Sequence, residues 1–273
     1  MTSGWSCSRS SATSPSGSDV SPVVLSTLEF DVAWEGERLT RRNVALDVPS
    51  PGITHTERAL LVEQAWRSMA ERGVAANGRL APEVADAFAL LANPQVSVDI
   101  WIWVDRRKIK GLAAAAGDEA VLAVVDGDEV WLIDSRASAL AESAVSVAGE
   151  VPAGYGRSIS LPNDVLRAAS DEAGQDAEKL VLALERHGLP LHEAQELAGM
   201  CDGMGTRGQF GAERARPGGP PVRAGRVVAW HDTPSGRYLH QVRPSSDGRS
   251  WSTVTPIDNA RLAGCVWELL QEV

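Results

Sequence analysis

The sequence contains few cysteines, and those that it has are far apart. Cys7, Cys201 and Cys265 form no C-x-x-C pair, and their number is odd. A disulfide framework uses paired cysteines, and a structural zinc site uses four closely spaced Cys or His ligands. The sequence therefore predicts neither, and it favours reduced thiols in a cytosolic protein.

The chain also lacks a long apolar run. No stretch approaches the ~20 consecutive apolar residues that cross a bilayer, so we predict no membrane insertion. The first 21 residues are rich in Ser and contain no apolar segment of the kind found in a secretory signal. We therefore expect residues 1–22 to form a disordered tail, and we expect the protein to be cytoplasmic.

Positive charge is scarce. The chain has 26 Lys and Arg against 36 Asp and Glu, which gives a formal net charge of −10. Binding to a phosphate backbone requires clustered cations, so we predict no nucleic-acid partner. A basic run at residues 207–226 surrounds the segment RPGGPP, which is typical of a solvated loop.

The order of predicted elements repeats along the chain. Residues 23–150 and 151–273 each read as a strand, a group of helices, four strands and a final helix. Runs of hairpins favour an α+β fold over parallel βαβ units. We therefore predict a single domain over residues 23–273. Its two pseudo-repeats would be related by a pseudo-two-fold axis and would form one central antiparallel-rich sheet flanked by two helical bundles.

Two capping boxes predict where early helices begin. Ser26 is followed by Glu29, and Thr54 by Glu57, which predicts helices that end near Glu35 and Gly73. Alternating apolar residues leave a strand open as the alternative for the first of these segments. Between the two helices, VALDVPSPG predicts a short strand ending in a Pro-rich turn.

The remaining elements follow from spacing and turn signals. Asp126-Gly127 predicts a hairpin, and the next segment predicts a helix over residues 135–148. Ser160 is expected to cap a helix, and ARPGGPPVRAG is expected to form a long hairpin excursion. In the second half, further helices are predicted at 175–187 and 190–200, strands at 205–213, 226–232, 237–243 and 251–255, and an amphipathic helix at the end.

The segment GMGTRG matches G-x-G-x-x-G through Gly203, Gly205 and Gly208. A dinucleotide fingerprint must follow a strand and open a helix, because the helix N-terminus binds the pyrophosphate. Here the glycines follow a predicted helix and precede a predicted strand. We interpret them as a helix end and a strand entry, and we predict no cofactor.

No set of residues in the sequence requires catalysis. His231-Asp232 resembles paired ligands of metal-dependent phosphohydrolases, but the other His residues lack matching spacing, and we interpret Asp232 as a turn initiator. No G-x-S-x-G elbow is present. We predict that the protein is not an enzyme and has no catalytic, cofactor-binding or metal-binding residues. A small-molecule enzyme and a structural subunit of a larger assembly are kept as alternatives.

The segment QVSVDIWIWVD alternates strictly, so its aliphatic residues share one face of a strand. Trp101 and Trp103 then lie on the opposite face. Either a helix of the same chain covers them or they form a protein-binding platform, since Trp is enriched at interface hot spots. RRKIKG, just beyond, predicts a basic turn that is either solvated or a rim for an acidic partner.

Several segments together resemble a known family. VVLSTLEFDVAWEG, LDVPSPGITHTER, RGQFGAE and VVAWHDTPSGRYLHQV occur in this order and precede a terminal amphipathic helix. In order, spacing and total length they resemble the actinobacterial EspG family of ESX (type VII) secretion-associated proteins. The resemblance implies a quasi-two-fold sheet with two helical bundles. It also implies a cytosolic chaperone that shields the hydrophobic tip of helical PE–PPE-like proteins.

Four residues are predicted to contact the partner. Trp101 and Trp103 are chosen because they alternate outward, and Arg207 and Gln209 because they share one face of a second-half strand. The resemblance places the partner surface on the central sheet and the C-terminal helical bundle. The sequence does not indicate the oligomeric state or which secreted protein is bound.

Overall fold

The computed structural model describes residues 22–39, 41–174, 176–245 and 248–273. The predicted N-terminal tail lies outside the described residues except for Pro22, and so does Cys7. The helices are α1 (Thr27–Gly36), α2 (His55–Glu71), α3 (Pro82–Ala92), α4 (Leu140–Ser146), α5 (Asn163–Ala173), α6 (Ala177–Arg186), α7 (Leu191–Cys201) and α8 (Asn259–Leu270).

Most strands join one large sheet. The strands are β1 (Val23–Ser26), β2 (Ala75–Ala76), β3 (Arg79–Leu80), β4 (Val96–Val104), β5 (Arg107–Ala116), β6 (Glu119–Asp126), β7 (Glu129–Arg136), β8 (Ile159–Pro162), β9 (Arg207–Arg216), β10 (Gly219–Arg223), β11 (Val228–Thr233), β12 (Gly236–Pro244) and β13 (Ser250–Pro256). β2 and β3 form a separate two-stranded sheet.

The strand order of the large sheet is symmetric about its centre. It runs β1-β7-β6-β5-β4 and then β9-β11-β12-β13-β8, with β10 also paired to β9. Each side therefore places its first strand at the edge and a run of consecutive antiparallel strands inward. β4 pairs with β9 across the middle. The predicted α+β fold with one pseudo-two-fold, antiparallel-rich sheet is confirmed. The division of the repeats at residues 150 and 151 stays a prediction.

The helices cover the two faces of the sheet differently. The aliphatic side chains of β4 point to the face that α4 and α8 cover, and this layer forms one buried core. On the other face, α1, α2 and α3 pack over β5, β6 and β7, and α5, α6 and α7 pack over β8, β12 and β13. The middle of that second face lies between the two bundles.

Both capping boxes form as predicted. The Ser26 hydroxyl accepts a hydrogen bond from the Glu29 backbone N–H, and the Glu29 carboxylate accepts one from the Ser26 N–H. Thr54 and Glu57 repeat the arrangement at α2. These bonds satisfy orphan donors at each helix start, which decides the first segment for helix over strand.

Several local predictions are wrong. RRKIKG does not form a basic turn, because its residues 107–111 belong to β5 and pair with β4. Residues 44–52 contain a short 3-10 turn, Val44–Leu46, because the Asn43 side chain accepts from the Ala45 N–H and two prolines remove donors that a strand would need. The predicted helix over 135–148 begins only at Leu140, because β7 continues to Arg136 in register with β6. Ser160 lies within β8, and α5 begins after Pro162.

The hairpin excursion adds a strand that the sequence did not predict. β10 returns along β9, pairing Val222 with Arg214 and Arg223 with Glu213, with an irregular register near Gly219. β10 and β11 thus both pair with the edge of β9 that faces away from β4.

A buried arginine ties the end of the first half to the second. Arg237 is fully buried, and its guanidinium donates to both carboxylate oxygens of Asp232 at 2.8 and 3.0 Å. It also donates to the backbone carbonyls of Ala148 and Gly149, which follow α4, and to the Asn259 side chain at the start of α8. Each hydrogen bond that Arg237 donates is charge-assisted. The planar guanidinium therefore holds the segment that follows α4, the start of α8 and β11 in fixed positions relative to one another.

We expect Arg237→Met to lower the free energy of unfolding by about 3 kcal/mol, because it leaves the Asp232 carboxylate without its cation. Arg243→Met, on the same strand, removes an exposed pair with Glu268 and should cost less than about 1 kcal/mol. Urea denaturation of the two variants measures the difference. Equal losses would contradict the assigned role of Arg237.

Candidate partner-binding surface

The four residues nominated from the sequence lie together at the centre of the sheet. In the β4–β9 register Trp101 is opposite Gln209, and Trp103 is opposite Arg207. On the other side of β4, Trp101 is opposite Lys110 and Trp103 is opposite Lys108. Residues opposite one another in a sheet point to the same face. We call this surface the central platform, and its residues are Trp101, Trp103, Lys108, Lys110, Arg207 and Gln209.

The two Trp rings of the platform contact neighbouring polar side chains and remain partly exposed. The Trp101 Nε1 donates to the Asp99 carboxylate at 2.8 Å, and the Lys108 ammonium lies 4.3 Å from the Trp101 ring centroid. The same ammonium lies 5.9 Å from the Trp103 ring centroid. Both Trp side chains stay partly exposed, and neither belongs to the buried clusters of the described residues. The rings are therefore available for contact.

An ion pair supports the platform from within the same face. Asp99 is 4% exposed, and Arg223 of β10 donates to its two carboxylate oxygens at 2.6 and 3.0 Å. Gly211 lies opposite Asp99 in the β4–β9 register. A Cβ at Gly211 would lie 2.3 Å from the Arg223 Nη2 and 2.6 Å from the Asp99 Oδ2. Because Gly211 has no side chain, the space that a Cβ would fill is free for this ion pair.

A recess lies beside the platform on the side of the second helical bundle. Arg207 and Met204 lie at this cavity of about 370 Å³, whose apolar lining includes Leu180, Ala198 and Cys201. Burial raises the pKa of Cys201 to about 11, so the thiol stays neutral. Met204 is 44% exposed. No sequence pattern identified the recess, because its residues come from α5, α6, α7, β9 and the loops between them.

The segment GMGTRG behaves as interpreted from its context. α7 ends at Cys201 and β9 begins at Arg207, so the glycines follow a helix and precede a strand. Gly203 has a positive φ of 65° after the helix end. A Cβ at Gly208 would lie 2.8 Å from the Trp230 ring and 2.9 Å from the Trp101 carbonyl oxygen. Close packing beneath the platform accounts for Gly208.

His231 and Asp232 are both engaged in structural bonds. The His231 Nε2 lies 2.9 Å from the Met200 carbonyl oxygen, so this nitrogen carries the donated proton. Burial lowers the pKa of His231. The interpretation of Asp232 as a turn initiator is wrong, because its carboxylate binds Arg237. Thr233 begins the turn instead, and its hydroxyl accepts from the Ser235 N–H at 3.1 Å.

The described part of the chain offers neither a metal site nor a membrane-spanning helix. There, no cluster of three or more His, Cys, Asp and Glu side chains is arranged to hold a metal ion. Within the same residues, each helix is too short or too polar to cross a bilayer.

The Asp99–Arg223 ion pair leads to a stability prediction. Gly211→Ala should lower the free energy of unfolding by about 1–3 kcal/mol, because the methyl group displaces Arg223 and leaves the buried Asp99 without its cation. Gly225→Ala is the matched control, since a Cβ there meets nothing within 4 Å. Thermal or urea unfolding compares them. A neutral Gly211→Ala would show that the pair relaxes at no cost.

The buried histidine leads to a pH prediction. Because folding lowers the pKa of His231, the unfolded chain takes up a proton below about pH 6.5 that the folded chain does not, and stability falls as the pH drops. His231→Gln should reduce this fall between about pH 7 and pH 5.5 by up to about 1 kcal/mol. Exposed His192→Gln should keep the wild-type slope. Identical slopes in urea titrations of both variants would contradict the assignment.

Comparisons with known proteins agree with this architecture. A search of curated proteins finds no match in sequence. Among solved structures, the Mycobacterium tuberculosis type VII secretion chaperone EspG5, determined in complex with a PE25–PPE41 dimer, matches with a TM-score of 0.72. The match covers 93% of this chain and 97% of that one at 13% identity, which shows the fold. A sequence model of the EspG family matches residues 26–268, so the chain belongs to the EspG family.

Proposed function

We propose that this protein is a cytoplasmic chaperone of an ESX (type VII) secretion system. Its partner is a helical PE–PPE-like protein pair, and it shields the apolar tip of that pair before export. The observation that carries the proposal is the central platform, where two partly exposed Trp rings lie between two helical bundles in a chain of the EspG family.

The shape of the platform suits the end of a helical bundle. The sheet supplies a floor of paired strands, and the helices of both halves rise beside it on the same face. Covering apolar area contributes about 25 cal/mol per Å², and a releasable complex is expected near the standard interface size of about 1,600 Å². Trp101 and Trp103 are the proposed anchors, and Arg207 and Gln209 flank them.

The recess beside Arg207 extends the proposed surface onto the second bundle. Its apolar lining by Leu180, Ala198 and Cys201 suits an aliphatic side chain of the partner. A side chain seated there would fix the orientation of the helical tip relative to the two Trp rings, since an anchor in a pocket carries much of the binding energy of an interface.

The proposal involves no chemical step. The candidate catalytic pair of the sequence, His231 and Asp232, is committed to Met200 and Arg237. Of the two alternative functions, neither the small-molecule enzyme nor the structural subunit is favoured by a specific observation. The net charge of −10 suits a chaperone that must stay soluble when its partner is absent.

Affinity capture from the native cytosol, followed by mass spectrometry, tests the proposed function. A PE–PPE-type helical pair should be recovered in stoichiometric amount. Reconstitution of that pair with the purified protein should give one complex by size-exclusion chromatography. Recovery of membrane secretion components without such a pair would favour the structural-subunit alternative.

A paired variant tests the platform itself. Trp101→Ala with Trp103→Ala should weaken binding of the recovered pair at least ~10-fold and leave the melting temperature within a few degrees, because both rings are partly exposed. Trp251→Ala is the matched control, since Trp251 is 36% exposed on the opposite face of the same sheet. Loss of the fold in the double variant would show that the rings belong to the core.

A further inference from the structure

We infer that the partner presents carboxylates beside its apolar tip, and that Lys108 and Arg207 select for them. This inference rests on the proposed function and specifies the chemistry of its partner: an acidic helical end. The observation behind it is a row across three strands, in which Lys108, Trp103 and Arg207 lie side by side.

The two cations of this row flank the Trp103 ring and have no acidic partner among the described residues. Lys108 and Arg207 are both exposed, and within the described residues no carboxylate oxygen lies within 4.0 Å of either. Many other exposed cations of the chain have such a partner, as in the pairs Arg41–Glu213, Arg67–Glu63, Arg157–Glu196 and Arg186–Glu172. Two unneutralised cations on a chain of net charge −10 mark a local basic site.

Asp99, which lies on the same face, does not neutralise them. Asp99 is 4% exposed, and both of its oxygens are bound by Arg223. Lys110, in the adjacent row, donates to the Asp47 carbonyl oxygen. Burial lowers the pKa of Lys110, and so do the charges of Lys108 and Arg42, although Asp47 opposes the shift. Positive charges on Lys108 and Lys110 therefore lie close together on the platform, and an incoming acidic group would reduce their repulsion.

The separation of Lys108 and Arg207 suits the separation of neighbouring side chains at the end of a helix. Neighbouring strands are about 4.8 Å apart, so the backbones that carry Lys108 and Arg207 are about 10 Å apart with Trp103 between them. Residues three or four apart on a helix have Cβ atoms about 5–6 Å apart, and the long Lys and Arg side chains span the difference. A helical tip can thus lay an apolar side chain on Trp103 and direct a carboxylate to each side.

Lys108 is positioned to bind one of these carboxylates. Its ammonium already lies over the Trp101 and Trp103 rings, so it is held near the apolar surface that the tip would cover. A carboxylate that approaches there meets a cation in partly dry surroundings, where a charge-assisted hydrogen bond is stronger than in water. Complementary charge of this kind contributes mainly to selectivity and to the association rate.

Designed helical hairpins test the inference without a natural partner. Three probes share one sequence with Leu residues at the tip, and they differ only in tip-flanking residues, which are Glu, Gln or Lys. At about 50 mM salt the full chain should bind the Glu probe at least ~10-fold more tightly than the Gln probe and bind the Lys probe weakest. The Glu preference should shrink at about 500 mM salt because exposed charges are then screened.

A charge reversal locates the effect. Lys108→Glu with Arg207→Glu should abolish the preference for the Glu probe over the Gln probe. Lys108→Arg should keep the preference. Arg261→Glu is the matched control, because Arg261 is an exposed cation on α8, which covers the opposite face. All variants should keep the wild-type melting temperature.

The outcomes separate this inference from the proposed function. Equal binding of the Glu and Gln probes, no binding of the Glu probe, or tighter binding of a single-stranded DNA oligonucleotide would overturn the inference. If the natural PE–PPE-type pair still binds in any of these cases, the proposed function stands. A clear Glu preference without recovery of such a pair would support the acidic-end selectivity and contradict the proposed function.

Discussion

The antiparallel pairing of β4 with β9 is the interaction on which the rest of the structure depends. It runs from Val96–Arg214 to Trp103–Arg207 and joins a five-strand set and a six-strand set into one continuous sheet. Without it, each half would expose the inner edge of its own sheet, and unpaired edges are costly and prone to aggregation. The same pairing brings Trp101 beside Gln209 and Trp103 beside Arg207, so the platform exists only where the halves meet.

Two ion pairs lie on opposite faces of the sheet near the place where the halves meet. Arg237 binds Asp232 together with the segment that ends the first half, and Arg223 binds Asp99 beside the platform. Each guanidinium reaches its carboxylate in a bidentate arrangement, which fixes angles as well as distances. Such pairs contribute more to the geometry of the junction than to net stability, since desolvation offsets much of their attraction.

The two faces of the large sheet differ in chemistry at β4. The aliphatic face of β4 is sealed by α4 and α8, and the opposite face carries side chains that are both apolar and charged. A surface of Trp rings and unneutralised cations can bind a helical tip firmly and still remain soluble when empty. A purely apolar surface of the same area would favour non-specific association. In the proposed complex, the exposed cations therefore serve solubility and selectivity together.

Local sequence signals determined much of the secondary structure. The capping boxes at Ser26 and Thr54 fixed two helix starts, and strict alternation placed Trp101 and Trp103 opposite the aliphatic residues of β4, because both effects act over a few neighbouring residues. Errors arose where distant contacts override such signals, as at Ser135 and Arg136, where pairing with β6 extends β7. The repeated element order predicted one sheet. Only tertiary structure decided that Lys108, Trp103 and Arg207 share a row and that Asp99 meets Arg223, because strand register and long-range ion pairs depend on residues up to 124 positions apart.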